Sequence, residues 1–154
     1  MHEDGEEMME GLAKATPLLA RILLALIYVI AGISKLADPS RTVAMMASHG
    51  IPLSHVLVFG AIAIELIGGL MLMAGWHGRL VALVLCVYTL ALAVIFHAFW
   101  AASGAAAETQ HALFFGHLSM MGGMLYVAVY GSGPLSVDET VQSGMHHRFH
   151  LRTH

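Results

Sequence analysis

Charge is scarce in this sequence. Asp, Glu, Lys and Arg make up 11% of its 154 residues, against about a quarter in an ordinary soluble domain. The net charge of −3 is too small, and of the wrong sign, for the electrostatic footprint of a nucleic-acid binder. A single cysteine, Cys86, excludes an intramolecular disulfide. There is no Rossmann or P-loop glycine pattern, no Cys-x-x-Cys and no nucleophile elbow. Redox chemistry in such a chain has to rest on a bound cofactor, with protein groups tuning it and handling protons. The length suits one domain and leaves no room for a second of ordinary size.

Apolar residues are what the chain has in abundance, at 58%. They fall into four blocks, about Pro17 to Leu36, His55 to Ala74, Leu80 to Phe99 and Ala112 to Tyr130. Each is close to the roughly 20 residues that span about 30 Å of hydrocarbon as a helix. Backbone groups in lipid must be paired within their own segment, so helices are the expected form. The blocks are apolar nearly all round, unlike the one-sided helices of a soluble bundle. The sequence therefore predicts an all-α integral membrane protein, a four-helix transmembrane bundle in contact with the lipid bilayer. The first block does not read as a cleavable signal peptide. It is too long for a signal h-region, and Glu3, Asp4, Glu6, Glu7 and Glu10 precede it where basic residues would be expected.

The flanks divide the chain into a polar acidic tail over 1–15, the bundle over 16–140 and a histidine-rich tail over 141–154. Asp38-Pro39-Ser40-Arg41 reads as a helix start, and Gly50 with Pro52 stops the run. A short amphipathic surface helix is expected between spans one and two. Gly75-Trp76-His77-Gly78 makes a tight turn between spans two and three, and Ala101 to Thr109 reads as a mobile loop. Four spans put both termini on one side, with Lys14, Arg21, Arg79, Arg148 and Arg152. The other side holds Lys35 and Arg41. The excess predicts cytoplasmic termini.

Ionisable and amide side chains within the spans are the candidate functional residues. Glu65 lies near the middle of span two, with Ala61, Gly68 and Gly69 on its face, where small residues admit another helix closely. Lys35 lies near the outer end of span one, its ammonium able to reach Glu65 or water. His97 lies near the outer end of span three, and His117 about two turns into span four, with Gln110 a heptad earlier. Together they predict a polar cavity in the outer half of the bundle. There Glu65 and His117 relay protons while Lys35 keeps Glu65 ionised. The alternative is structural: a buried Lys35–Glu65 pair and hydrogen-bonded histidines that fix helix register.

Two patterns bear on metals. His117, Met120, Met121 and Met124 form one helical stripe of donors suited to Cu(I), although methionine is equally a flexible packing residue. In the tail, His146, His150 and His154 recur every four residues, a metal-binding face if helical. Haem held by two of His97, His111 and His117 is the least supported option, because His97 and His117 are expected at different depths.

Several segments resemble the DoxX family of small bacterial inner-membrane proteins. They are Arg21-Ile22-Leu23-Leu24-Ala25 with Ala31-Gly32-Ile33-Ser34-Lys35-Leu36, then Ile64-Glu65-Leu66-Ile67-Gly68-Gly69-Leu70. Phe96-His97, the Gln110 to Gly123 stretch and Gly131-Ser132-Gly133-Pro134-Leu135-Ser136-Val137-Asp138 follow in the same order. The chain departs from the pattern at Gly116-His117-Leu118, where many relatives resemble Lys-Asn-Leu. The resemblance implies a multi-pass inner-membrane protein with a redox-associated role, similar in type to the membrane subunit of thiosulfate:quinone oxidoreductase. If that role is catalytic, the implied cofactor is a quinone, with Tyr28, Lys35, Glu65, His97, Gln110 and His117 around its ring. Three readings stay open: a quinone-linked subunit with Glu65, His117, His97 and Lys35 in the reaction, a non-catalytic anchor for soluble redox enzymes or a partner subunit, and a copper or small-molecule handling protein. A homo-oligomer fits any of them.

Overall fold

The computed structural model describes the backbone of residues 2–150 and the side chains of residues 5–143. Within that range it is all helix, turn and loop. Helix α1 runs His2–Ala37 and α2 runs Pro39–Ser48. Helix α3, Ser54–Ala74, is α-helical at both ends with a π-helical segment, Ile64–Gly68, between. Helix α4 is Gly78–Phe96, followed by a 3₁₀ turn at Phe99–Ala101. Helix α5 is Ala105–Tyr130 and α6 is Val137–His150. Four of these, α1, α3, α4 and α5, are long and apolar enough to cross a membrane. The protein is an all-α membrane bundle.

The molecule is inverted relative to a soluble bundle. Large apolar side chains such as Leu23, Ile30, Phe59, Leu70, Val87 and Val129 point outward, where lipid replaces water as the surrounding medium. The interior contains Arg21, Glu65 and Thr89 beside Ala25, Leu72, Ala82, Leu85 and Met124. Burying apolar groups gives no advantage over lipid, so close approach of backbones has to hold the helices together. Gly69 provides it against α1: a Cβ there would stand 2.9 Å from Val29 Cγ2 and 3.2 Å from Tyr28 Cβ. Gly68 faces Leu85 of α4 in the same way, at 3.1 Å. The two most extensive contacts between helices are α1 with α3 and α4 with α5, the latter pair joined through the 3₁₀ turn.

The structure differs from expectation at the ends. The acidic segment over residues 2–15 is the start of α1, not a separate tail, for α1 has 36 residues. At 1.5 Å per residue it is longer than a bilayer core, so its first turns extend beyond the hydrocarbon. Glu10 and Lys14 pair there at 2.6 Å, at the i,i+4 spacing that supports exposed helices. The loop expected through Thr109 is shorter, because α5 begins at Ala105. Alanine-rich sequence outside the hydrocarbon still has high helix propensity. The last described segment is also helical, over Val137–His150. The expected surface helix is present as α2. Asp38 caps it by accepting the Ser40 amide at 3.1 Å, and Pro39 occupies the first turn.

Candidate functional site

Glu65 is 1% exposed and lies in the π-helical segment of α3. Such segments insert an extra residue into a turn and recur at functional sites. Here the widened turn puts a carboxylate between two neighbouring helices. From α1, Lys35 Nζ donates to Glu65 Oε1 at 2.9 Å and to Oε2 at 2.8 Å. From α4, Tyr88 Oη donates to Oε1 at 2.7 Å. A buried carboxylate is tolerable only with such charge and hydrogen-bond compensation. One turn below, Tyr28 and Thr89 share a short hydrogen bond, and Thr89 Oγ1 also donates to Leu85 O at 2.7 Å.

These groups border a cavity of about 240 Å³. Its far wall holds His97, Phe96 and His117. Their rings meet because α4 and α5 are antiparallel neighbours and His97 caps the end of α4. The centroids of His97 and His117 are 4.7 Å apart, which corrects the expectation that they sit at different depths. His97 Nδ1 bonds Gln110 Oε1 at 2.8 Å, and His117 Nδ1 bonds Leu113 O at 2.8 Å. Helix α2 contributes Thr42, Met45 and Met46 to the cavity. It is held by an edge-to-face contact of His49 with Phe96, centroids 4.9 Å apart. The surface helix is therefore part of the cavity wall. Ile27, half exposed on the outer surface of α1, also lines the cavity, so the space reaches the lipid-facing side.

Of the residues singled out from sequence, Tyr28, Lys35, Glu65, His97 and His117 all border this one cavity. Gln110 does not border it and acts through His97. Tyr28 is also buried in the core. The methionine stripe splits: Met120 borders the cavity, whereas Met124 is fully buried in the apolar core and Met121 packs against that core. His111 stacks on Phe99 and Phe115 at 5.0 and 4.6 Å, outside the cavity lining. Among the described residues no three His, Cys, Asp or Glu side chains cluster as for a metal. The side chains of His146, His150 and His154 lie outside the described residues. Sequence reasoning missed Tyr88, Thr89, Thr42 and the π turn. Tyr88 and Thr89 were detectable as polar residues in the middle of an apolar run.

A second polar cluster sits at the end of the bundle that carries both termini. Arg21 is 1% exposed. Its Nη2 donates to Leu135 O at 2.8 Å and its Nε to Pro17 O at 3.3 Å. Leu135 has a left-handed backbone, φ +56°, which is costly for leucine. Arg21 holds its carbonyl and Glu139 Oε2 accepts its amide at 2.8 Å. Asp138 Oδ1 and Oδ2 accept the amides of His77 at 2.8 Å and Gly78 at 2.9 Å, and Oδ2 accepts Ser132 Oγ at 3.0 Å. Burial works to raise the Asp138 carboxyl, but the Gly78 and His77 amides and the Ser132 hydroxyl outweigh it. Its pKa ends below the ordinary value. A cavity of about 520 Å³ adjoins this cluster, but both its carboxylates are already taken by backbone amides. This end is a clamp, in which Arg21 Nη1 is the one buried side-chain polar atom among the described residues without a hydrogen-bond partner.

Comparison with known proteins agrees with the architecture. A family model described as DoxX matches residues 16–98, which include Tyr28, Lys35, Glu65, Tyr88 and His97 but not Gln110 or His117. The inner membrane protein YphA of Escherichia coli K12 is 33% identical over 121 residues, covering 79% of this chain and 86% of that protein. The inner membrane protein YqjF of the same organism is 31% identical over 130 residues, covering 84% and 95%. No solved structure matches the chain. With a family match over more than half its length and two relatives aligned across most of theirs, the chain belongs to the DoxX family.

Proposed function

We propose that the protein is a redox-associated inner-membrane protein that binds the ring of a quinone in the cavity between α1, α3, α4 and α5. The observation that carries this reading is a fully buried carboxylate, Glu65, bound by an ammonium and a phenol beside a cavity that reaches the lipid-facing surface. The site fits such a ring in size and donor set. At about 240 Å³ it is below the range typical of drug-sized ligands, about 300–1,000 Å³, and suits a single ring. The apolar surface beside Ile27 gives an alkyl tail a way into the bilayer. A bound quinone supplies a two-electron, two-proton couple. In a dry bundle those protons move only through ionisable side chains. Glu65 and Lys35 hold one proton-exchanging pair, Tyr88 extends it toward α4, and His97 and His117 provide a second exchange point. Lysine and arginine distribution puts both termini in the cytoplasm and the cavity in the opposite half of the membrane.

The test is binding of a short-tailed quinone analogue to detergent-purified protein, with folding of each variant checked first. Folded Glu65→Gln should bind at least tenfold more weakly. A folded wild type that binds no quinone overturns the reading. It leaves the alternative of a non-catalytic anchor for soluble redox enzymes, whose partners would be released by trimming the protruding ends of α1 or α6.

A further inference from the structure

The hydrogens around the cavity can be counted. Tyr88 spends its hydroxyl hydrogen on Glu65. Thr89 spends its own on Leu85 O, so in the contact between Thr89 and Tyr28 the phenol is the donor. Both phenols are therefore used. Lys35 has three hydrogens, of which two lie on the Glu65 oxygens, leaving one. The Thr42 hydroxyl both donates and accepts and discriminates neither way.

The histidines decide the balance. His117 Nδ1 faces the backbone carbonyl of Leu113, which only accepts, so Nδ1 carries the hydrogen. His97 Nδ1 faces the amide oxygen of Gln110, and with the amide turned this way Nδ1 carries the hydrogen here too. A neutral imidazole has one N–H and one bare lone pair. Each ring therefore presents Nε2 as an acceptor, and neither Nε2 has a hydrogen-bond partner among the described residues.

We propose that the cavity selects the dihydroxy, reduced form of its ring ligand over the dicarbonyl form, through paired acceptors at His97 and His117. This rests on the quinone-ring reading above. A hydroxyl donates to Nε2 and still accepts from Lys35. A carbonyl accepts from Lys35 but meets the imidazole lone pair to lone pair. A site built to pair a hydroxyl discriminates strongly against an analogue without one, because buried polar atoms are then left unsatisfied. Gln110 is a positioning residue: it touches the ligand only through the tautomer of His97.

The experiment compares three ligands on the full chain in detergent at pH 8, without oxygen. They are a short-tailed benzoquinone, its two-electron-reduced form and the dimethyl ether of that form, which keeps the shape and lacks the donors. The reduced form should bind about tenfold tighter than the other two, equivalent to a rise of about 30 mV in the potential of the bound couple. Gln110→Leu should shrink that ratio while leaving quinone affinity within about twofold, an outcome a purely structural Gln110 would not give. Equal affinity for quinone and reduced form, or tight binding of the ether, overturns the selectivity and leaves the quinone site standing. Binding of none of the three overturns the quinone reading, and the selectivity with it.

Discussion

Asp138 closes the amino end of α4 from 60 residues away, its Oδ2 accepting the Gly78 amide at 2.9 Å. Its Oδ1 takes the neighbouring amide of His77 at 2.8 Å. A helix start leaves its first amides unpaired, and here a residue from beyond the last span fills that role. His77, the residue before α4, has φ +50° and makes no side-chain cap of its own.

Removing this cap should weaken the fold. Asp138→Ala should cost about 1–2 kcal/mol, the range for loss of an N-cap, and lower the unfolding temperature in detergent. The effect depends on pH in a fixed direction. The folded carboxyl has a lowered pKa, so its stabilisation is present above the unfolded value of about 3.9. It is lost as pH falls through the lower folded value. The gap in unfolding temperature between wild type and Asp138→Asn should be full at pH 7 and narrow below about pH 4. A gap that stays constant across that range would mean the charge on Asp138 contributes nothing.

The Lys35–Glu65 pair should behave as a coupled unit. Glu65 Oε2 lies 2.8 Å from Lys35 Nζ, and the carboxylate side chain is 2% exposed. Breaking a buried pair by removing one member costs about 3–5 kcal/mol, since the other charge is left uncompensated. Lys35→Met and Glu65→Gln should each destabilise strongly, and the double variant by less than their sum. Thermal unfolding of the four proteins in one detergent gives the coupling energy. Additive losses would show that the groups do not stabilise each other.

Gly69 and Gly116 are both helical glycines and should respond oppositely to alanine. At Gly69 the new methyl would stand 3.3 Å from the backbone nitrogen of Val29 and closer still to two side-chain carbons. Backbone on the facing helix cannot step aside cheaply, so Gly69→Ala should cost about 1–3 kcal/mol as overpacking. At Gly116 nothing lies within 4 Å. Gly116→Ala should be neutral or gain about 0.5–1 kcal/mol from helix propensity. Unfolding temperatures of the two variants suffice, and a stable Gly69→Ala would mean α1 and α3 are not in close contact.

Much of this architecture was legible because the membrane imposes simple rules. Four apolar runs of spanning length dictate four helices, and Asp38-Pro39 announces α2. The partners of Glu65 were half legible. Lys35 could be paired with it from depth alone, since both sit in otherwise apolar helices. Tyr88 could not, because its contact depends on the π turn at Ile64–Gly68, and a single extra residue per turn leaves no pattern in Ile64-Glu65-Leu66-Ile67-Gly68. The meeting of His97 and His117 was obscured for a related reason. Depth was counted along ideal helices, whereas α4 ends at Phe96 and α5 begins early, at Ala105. The role of Asp138 was hidden by distance in sequence. A capping residue is normally sought beside its helix, and this one lies in the first turn of α6, beyond α4 itself and α5.

Orientation in the membrane is the last expectation to be tested. Both ends of a four-span bundle share a side, and Arg21, Arg79 and Lys14 gather there, against Lys35 and Arg41 opposite. Lys35 is bound to Glu65 and Arg21 to loop carbonyls, so the exposed bias rests chiefly on Lys14, Arg79 and the basic residues after α5. Flanking lysines and arginines are retained on the cytoplasmic side, which predicts cytoplasmic termini with α2 outside. Single cysteines at Ser40, Ser103 and Ser143, all exposed, in a Cys86→Ser background report this directly. On intact spheroplasts an impermeant thiol reagent should label the first two positions and leave the third unlabelled until the membrane is opened. Labelling at Ser143 alone would reverse the orientation and put the Glu65 cavity in the cytoplasmic half of the bilayer.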